Sequence, residues 1–302
     1  MIASAYTSLS AFFADCYVPR RLLGGSPATI QQYNIAIRHF GRFLGRSPAV
    51  SDLDEDRISD FLTSFAAGHA RSTLWGARNE LMSLASFAQR KGLLSEVPDV
   101  PAIRPIRRVP QAYNVADIAR LLAAARGTTG KVGSVPASLF WPAFFLVLYD
   151  TAARASATWA LTWKDWTTGT DALLFRGETQ KQRTDQLLRV SRQTAAALEA
   201  IRFPPRDLIF FWPGCRRVKY LRIKAIFRDA GLPCGRRDLL QRIRRTTLTL
   251  AHRLGVDATA QAGHSSDAIT RQSYLDPSGQ LQAADVLPRP ILPTADPQRL
   301  LF

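Results

Sequence analysis

From Gln241 to Pro277 the chain reads QRIRRTTLTLAHRLGVDATAQAGHSSDAITRQSYLDP. The stretch holds two adjacent arginines, Arg244 and Arg245, a histidine behind a glycine, His264, and a tyrosine ten positions further on, Tyr274. Two outlying residues belong with them, Arg154 in T-A-A-R-A-S and Lys181 in E-T-Q-K-Q-R. Taken singly, each reads as a packing or surface side chain. Together they are a set of cations and one hydroxyl suited to attack on a phosphodiester.

Working outward, 302 residues suffice for two domains, each able to bury its own core. A hydrophobic share of 46% with 21% charged residues is that of a globular chain. The charge balance is not ordinary. A formal net charge of +16, carried mostly by arginine, points to a polyphosphate partner, because guanidinium forks match phosphate oxygens two at a time. No uninterrupted apolar run approaches the roughly 18 residues that a membrane span needs, and the start M-I-A-S-A-Y-T-S lacks the order of a signal peptide. Cys16, Cys215 and Cys234 are too few and scattered for a disulfide framework or a four-cysteine zinc site, so a reducing, cytoplasmic location is expected.

The first hundred residues read as four short helices. Ser26-Pro27 is a helix start, followed by Ile30, Tyr33, Ile37, Phe40 and Leu44 on one face. Ile58, Phe61, Leu62 and Phe65 follow acidic Asp54, Glu55 and Asp56, which suit a helix N-terminus. A third helix spans roughly 72–91 and is closed by Gly92, and a fourth lies around Leu9 to Phe13. Prolines at 98, 101, 105 and 110 then predict an extended tether, whose Arg104, Arg107 and Arg108 are placed to track a phosphate backbone. The expected division is a helical domain over 1–97, a linker over 98–113 and a second domain over 114–302.

Asn114 opens the second domain as a helix cap, and F-W-P-A-F-F-L-V-L-Y over 140–149 is apolar on nearly every side, which marks a central core helix. Arg154 follows on that rigid base. Leu173 to Phe175 and Leu187 to Val190 read as two short strands around a polar loop that carries Lys181. Helices resume over 193–201 and 216–230. From Arg216 to Arg245 eleven of thirty residues are Lys or Arg against only Asp229 and Asp238. Such density predicts a groove for nucleic acid, with Arg216, Arg217, Lys219, Arg236, Arg237, Arg242 and Arg245 as its contacts.

Four segments in order, T-A-A-R-A-S before W-A-L-T-W-K-D-W, R-I-R-R-T-T-L-T-L-A-H-R-L-G-V-D, A-G-H-S-S and Y-L-D-P, resemble the signatures of the tyrosine recombinases, the phage-integrase family. The resemblance covers most of the chain. It implies a mainly α fold: a helical (SAM-like) core-binding domain and an α-rich catalytic domain with a small antiparallel sheet. Carried over by position, it makes Tyr274 the nucleophile, Arg154 and Arg244 the arginine pair, Lys181 the hairpin lysine and His264 the motif histidine. Two positions depart from the pattern: Gln241 stands where the family usually has histidine, and Ala157 where it usually has glutamate. Glutamine donates a hydrogen bond but exchanges no proton near neutral pH.

What the resemblance implies for function is a site-specific DNA recombinase or integrase, acting on double-stranded DNA as a homo-oligomer, a tetramer in the family, with no cofactor and no metal. Arginines and histidine spread over the equatorial oxygens of the in-line transition state, and tyrosine attack leaves a 3′-phosphotyrosine that retains the bond energy for rejoining. The tail over 280–302 is expected to dock on a neighbouring protomer. Relaxation of supercoils by a type IB topoisomerase and DNA binding without catalysis are the alternatives, the latter prompted by Gln241.

Overall fold

A computed structural model describes residues 8–106, 108–203, 206–235 and 238–277. Arg107, Arg236, Arg237 and the tail over 280–302 lie outside the described residues. The chain divides into two units, Met1–Arg108 and Val109–Phe302.

In the first unit, Ser26 accepts from the Thr29 backbone N–H and Pro27 fills the first helical position, where its missing N–H costs nothing. The helix Pro27–Leu44 ends at Gly45, whose φ of 67° is the left-handed conformation of a helix stop. Asp54 caps Glu55–Ala66, and Arg71–Arg90 completes the set. The chain is also helical from Leu9 to Arg21, longer than the sequence pattern suggests, with a wider turn over Phe12–Tyr17. Phe12, Phe40, Phe61, Leu81 and Leu84 are among the side chains of one buried core. Val100 belongs to that core as well, and Arg78 Nε donates to the Pro101 carbonyl at 2.7 Å, so the proline-rich segment leaves the first unit as an anchored chain.

The second unit is built on the helix Ala137–Thr151, in which Phe140, Trp141, Phe144, Phe145, Val147 and Leu148 are all buried. A helix apolar on every side must be covered on every side. Val115–Arg126, Arg192–Ala200 and Leu240–Arg253 supply the cover. Asn114 caps Val115–Arg126 through a reciprocal pair with Asp117, at 2.7 and 3.1 Å. The sheet has three antiparallel strands: Ala172–Phe175 pairs with Gln186–Arg189, in the register Ala172 to Arg189 and Phe175 to Gln186, and with Trp166–Thr167. The third strand is two residues long and carries no periodicity by which the sequence could announce it. A two-residue hairpin, Lys131–Val132 with Val135–Pro136, is likewise additional.

The entry to this unit is pinned at several points. Ala112 N–H donates to Asp276 Oδ2 at 2.7 Å, Tyr113 N–H donates to Thr246 Oγ1 at 2.8 Å, and Tyr113 is buried in the core. Asp276 N–H in turn donates to Thr249 Oγ1 at 3.0 Å.

Candidate active site

Three elements bring the expected residues together. Ala152, at φ 52°, stops the central helix in the left-handed conformation and leaves its carbonyl facing Leu240–Arg253. Arg154 follows as the residue preceding the short helix Ala155–Trp159. On Leu240–Arg253, Arg244 falls on the same buried face as Leu240, Ile243 and Leu248, and is only 4% exposed. Its guanidinium donates to the Ala152 carbonyl, to the Ala262 carbonyl at 2.9 Å and to His264 Nε2 at 3.1 Å. Its Nε has no hydrogen-bond partner.

A guanidinium only donates, so the Nε2 of His264 carries the lone pair and its Nδ1 the proton. Nδ1 lies 2.9 Å from Thr270 Oγ1, which is 3.0 Å from Thr259 Oγ1. The imidazole lies against the Tyr274 ring with centroids 4.5 Å apart, and the Arg244 guanidinium carbon lies 5.2 Å from the same ring centroid. Arg244, His264 and Tyr274 thus form one contiguous cluster.

Electrostatics follow from this crowding. Burial first, then the charge of Arg154, pulls Arg244 down to about 10. Burial, Arg244 and Arg154 together lower His264 to about 4, which leaves the ring neutral at pH 7. Both ring nitrogens of His264 are engaged inside the protein, Nε2 by Arg244 and Nδ1 by Thr270, and the ring packs on Tyr274.

Beside Tyr274 opens a cavity of about 930 Å³, lined by Arg154, Arg216, Arg217, Lys224, Gln241, Tyr220 and Leu221 among others. Among the described residues, none that lines it is acidic. Four cations around the hydroxyls of Ser156, Tyr220 and Tyr274 make a receptor for an anion. Lys224, Leu221, Tyr220 and Arg217 recur at three and four along Arg216–Asp229, so this wall was readable as a helical stripe. Among the described residues no group of three or more His, Cys, Asp or Glu side chains is placed to hold a metal ion.

The remaining residues are placed as follows. Lys181 is exposed on the loop between the two longer strands and does not line the cavity, while its neighbour Gln182 accepts from Arg154 Nη1 at 2.9 Å. Lys219 lies 3.9 Å from the centre of the Trp159 ring. Arg242 is directed inward: it donates to the Ala112 carbonyl at 3.1 and 3.3 Å and covers the Tyr113 ring at 4.4 Å, so it is committed to holding the entry of the unit. Arg245 is partly buried, and Arg104 and Arg108 are exposed. Lys224, Gln182 and Thr270 were not identified from sequence. Lys224 had a signal in the stripe spacing, whereas Gln182 and Thr270 are joined to their partners only by the fold.

No protein-family model matches the sequence, and no curated protein matches it. Solved structures do. A lambda integrase tetramer bound to a Holliday junction is 16% identical with a TM-score of 0.68, over 92% of this chain and 80% of that one. The Tn1549 transposon integrase in complex with a circular intermediate DNA is 12% identical with a TM-score of 0.68, over 87% and 94%. The XerH site-specific recombinase bound to its difH substrate is 17% identical with a TM-score of 0.62, over 80% and 75%. The chain therefore has the tyrosine recombinase fold, mostly helical with small antiparallel sheets.

Proposed function

We propose that this chain is a site-specific DNA recombinase that cuts and rejoins duplex DNA through Tyr274. The observation that carries the reading is the convergence of Arg244, His264 and Tyr274 at the edge of a cavity lined by Arg154, Arg216, Arg217 and Lys224. The fold shared with lambda integrase and XerH, both bound to DNA in those structures, supports it.

In this reading the phenol oxygen of Tyr274, releasing its proton to solvent, attacks the scissile phosphorus, the phosphorus to 5′-oxygen bond breaks, and a 3′-phosphotyrosine forms. Arg154 and Arg244 bear on the equatorial oxygens, where loss of one such donor typically slows reaction about 100- to 1000-fold. His264 keeps Arg244 aimed and the tyrosine ring in place. Lys181, on its exposed loop, protonates the departing 5′-oxygen once DNA draws the loop in. Reversal with another 5′-hydroxyl rejoins the strand, and the bond energy kept in the adduct makes ATP unnecessary. Four protomers on two duplexes complete the exchange, each using a 1–97 core-binding domain, a 98–113 linker and a 114–302 catalytic domain.

The test is covalent trapping on nicked DNA carrying candidate sites, with Tyr274→Phe beside wild type. The expected result is a protease-sensitive, slower-migrating DNA adduct that is absent from the variant. Gln241 at the cavity wall favours a second reading, DNA binding without catalysis, since an amide relays no proton. Intact binding to a site with no adduct from wild type would select that second reading.

A further inference from the structure

We infer that Gln182 is a positioning residue that aims Arg154 into the cavity, an inference that rests on the proposed cleavage chemistry. Arg154 needs such a partner. Among the described residues it forms no ion pair, and the hydrogen bond its guanidinium makes is the one to Gln182 Oε1 at 2.9 Å. One turn along, Ala157 is a buried methyl group that offers no acceptor. The charge of Arg154 lowers the proton affinity of Arg244, so the two guanidinium groups repel each other. A long arginine with ample rotamer freedom and a like charge beside it turns away unless something holds it.

Gln182 is held well enough to serve. Its loop is closed at the base by the Gly177 N–H donating to Asp185 Oδ1 at 2.6 Å. Buried Gln180 donates to Gln186 Oε1 at 2.9 Å, and Gln186 Nε2 donates to the Ala260 carbonyl at 3.1 Å. Ala260 belongs to the helix Ala258–Ala262 that leads into Gly263 and His264. Three glutamines therefore fasten the Lys181 loop to Arg154 on one side and to the histidine turn on the other. An arginine and a lysine from distant parts of the sequence are set by the same loop.

The experiment measures single-turnover adduct formation on the nicked trapping substrate, with DNA affinity measured in parallel, for Gln182→Ala, Gln182→Glu and Arg154→Ala/Gln182→Ala beside Arg154→Ala. Gln182→Ala is expected to form adduct up to about 100-fold more slowly, the scale of an ångström-sized misplacement, with affinity within about two-fold of wild type. Gln182→Glu, which keeps the acceptor oxygen, is expected to be faster than Gln182→Ala. In the Arg154→Ala background the second substitution is expected to add nothing, because its effect runs through the arginine. Unchanged cleavage by Gln182→Ala overturns the inference, and so does an affinity loss as large as the rate loss, or Gln182→Glu no faster than Gln182→Ala. Absence of adduct from wild type overturns the proposed function itself and this inference with it, whereas a wild-type adduct equalled by Gln182→Ala sinks the inference alone.

Discussion

Replacing Arg244 by methionine separates the chemical work of the arginine from its structural work. The charged side chain is held down at about 10, below its ordinary value. At about 1.4 kcal/mol for each tenfold change in proton affinity, burial and the repulsion of Arg154 together cost this charge on the order of 3 kcal/mol. Its bonds to the Ala152 carbonyl, the Ala262 carbonyl and His264 oppose that cost. At about 1.5 kcal/mol for each such charge-assisted bond, they exceed it by only about 1–2 kcal/mol. Methionine fills a similar apolar volume, removes the buried charge and leaves two carbonyls bare. The variant is therefore expected to unfold at a Tm lower by roughly 2–8 °C, given about 2–4 °C per kcal/mol for a domain of this size. Adduct formation is expected to fall about 100- to 1000-fold in the same protein. Calorimetry and the trapping assay read the two effects separately. A stability loss beyond about 4 kcal/mol, the range in which breaking a buried pair is felt, would mean that the arginine is chiefly a structural anchor. Cleavage within tenfold of wild type would refute its role at the phosphate.

Other consequences are open to direct test. Because His264 is held at about 4 against an ordinary 6.5, the unfolded chain binds more protons between those values, so stability is full above about 6.5 and falls as pH drops toward 4; His264→Asn should flatten that part of the curve in denaturant titrations. Gly177→Ala brings a Cβ to 2.7 Å from the backbone of Arg183, so it should shift the Lys181 loop and slow adduct formation about tenfold or more, with DNA affinity kept. Arg217→Ala and Lys224→Ala, on the cavity wall, should each weaken binding across DNA sequences and lower the slope of log affinity against log salt by about one phosphate contact. Arg242→Ala, by contrast, should lower Tm and leave that slope unchanged.

Local chemistry made much of this fold legible. Ser26-Pro27, the Asp54 cap and the Asn114 to Asp117 pair announce helix starts, since each supplies an acceptor for orphan N–H groups within three residues. The run over 140–149 could only be a core helix, and the tyrosine, histidine and arginine positions were marked by their order in the chain. Other features were set by distance in space. Arg242 and Arg244 sit two positions apart and look alike in sequence, yet Arg242 meets Ala112, 130 residues away, while Arg244 meets Ala152 and Ala262. Gln182 lies among loop residues whose polarity implies only solvent, and its contact with Arg154 depends on how the hairpin folds back.

The hydrogen bond from Ala112 to Asp276 joins the start of the second unit to the turn that follows Tyr274. The segment that enters the second unit is tied through the Ala112 N–H to a carboxylate two residues beyond Tyr274. Tyr274 thus lies two residues from the tie to the entering chain, while Arg244 beside it is fastened to the Ala152 and Ala262 carbonyls.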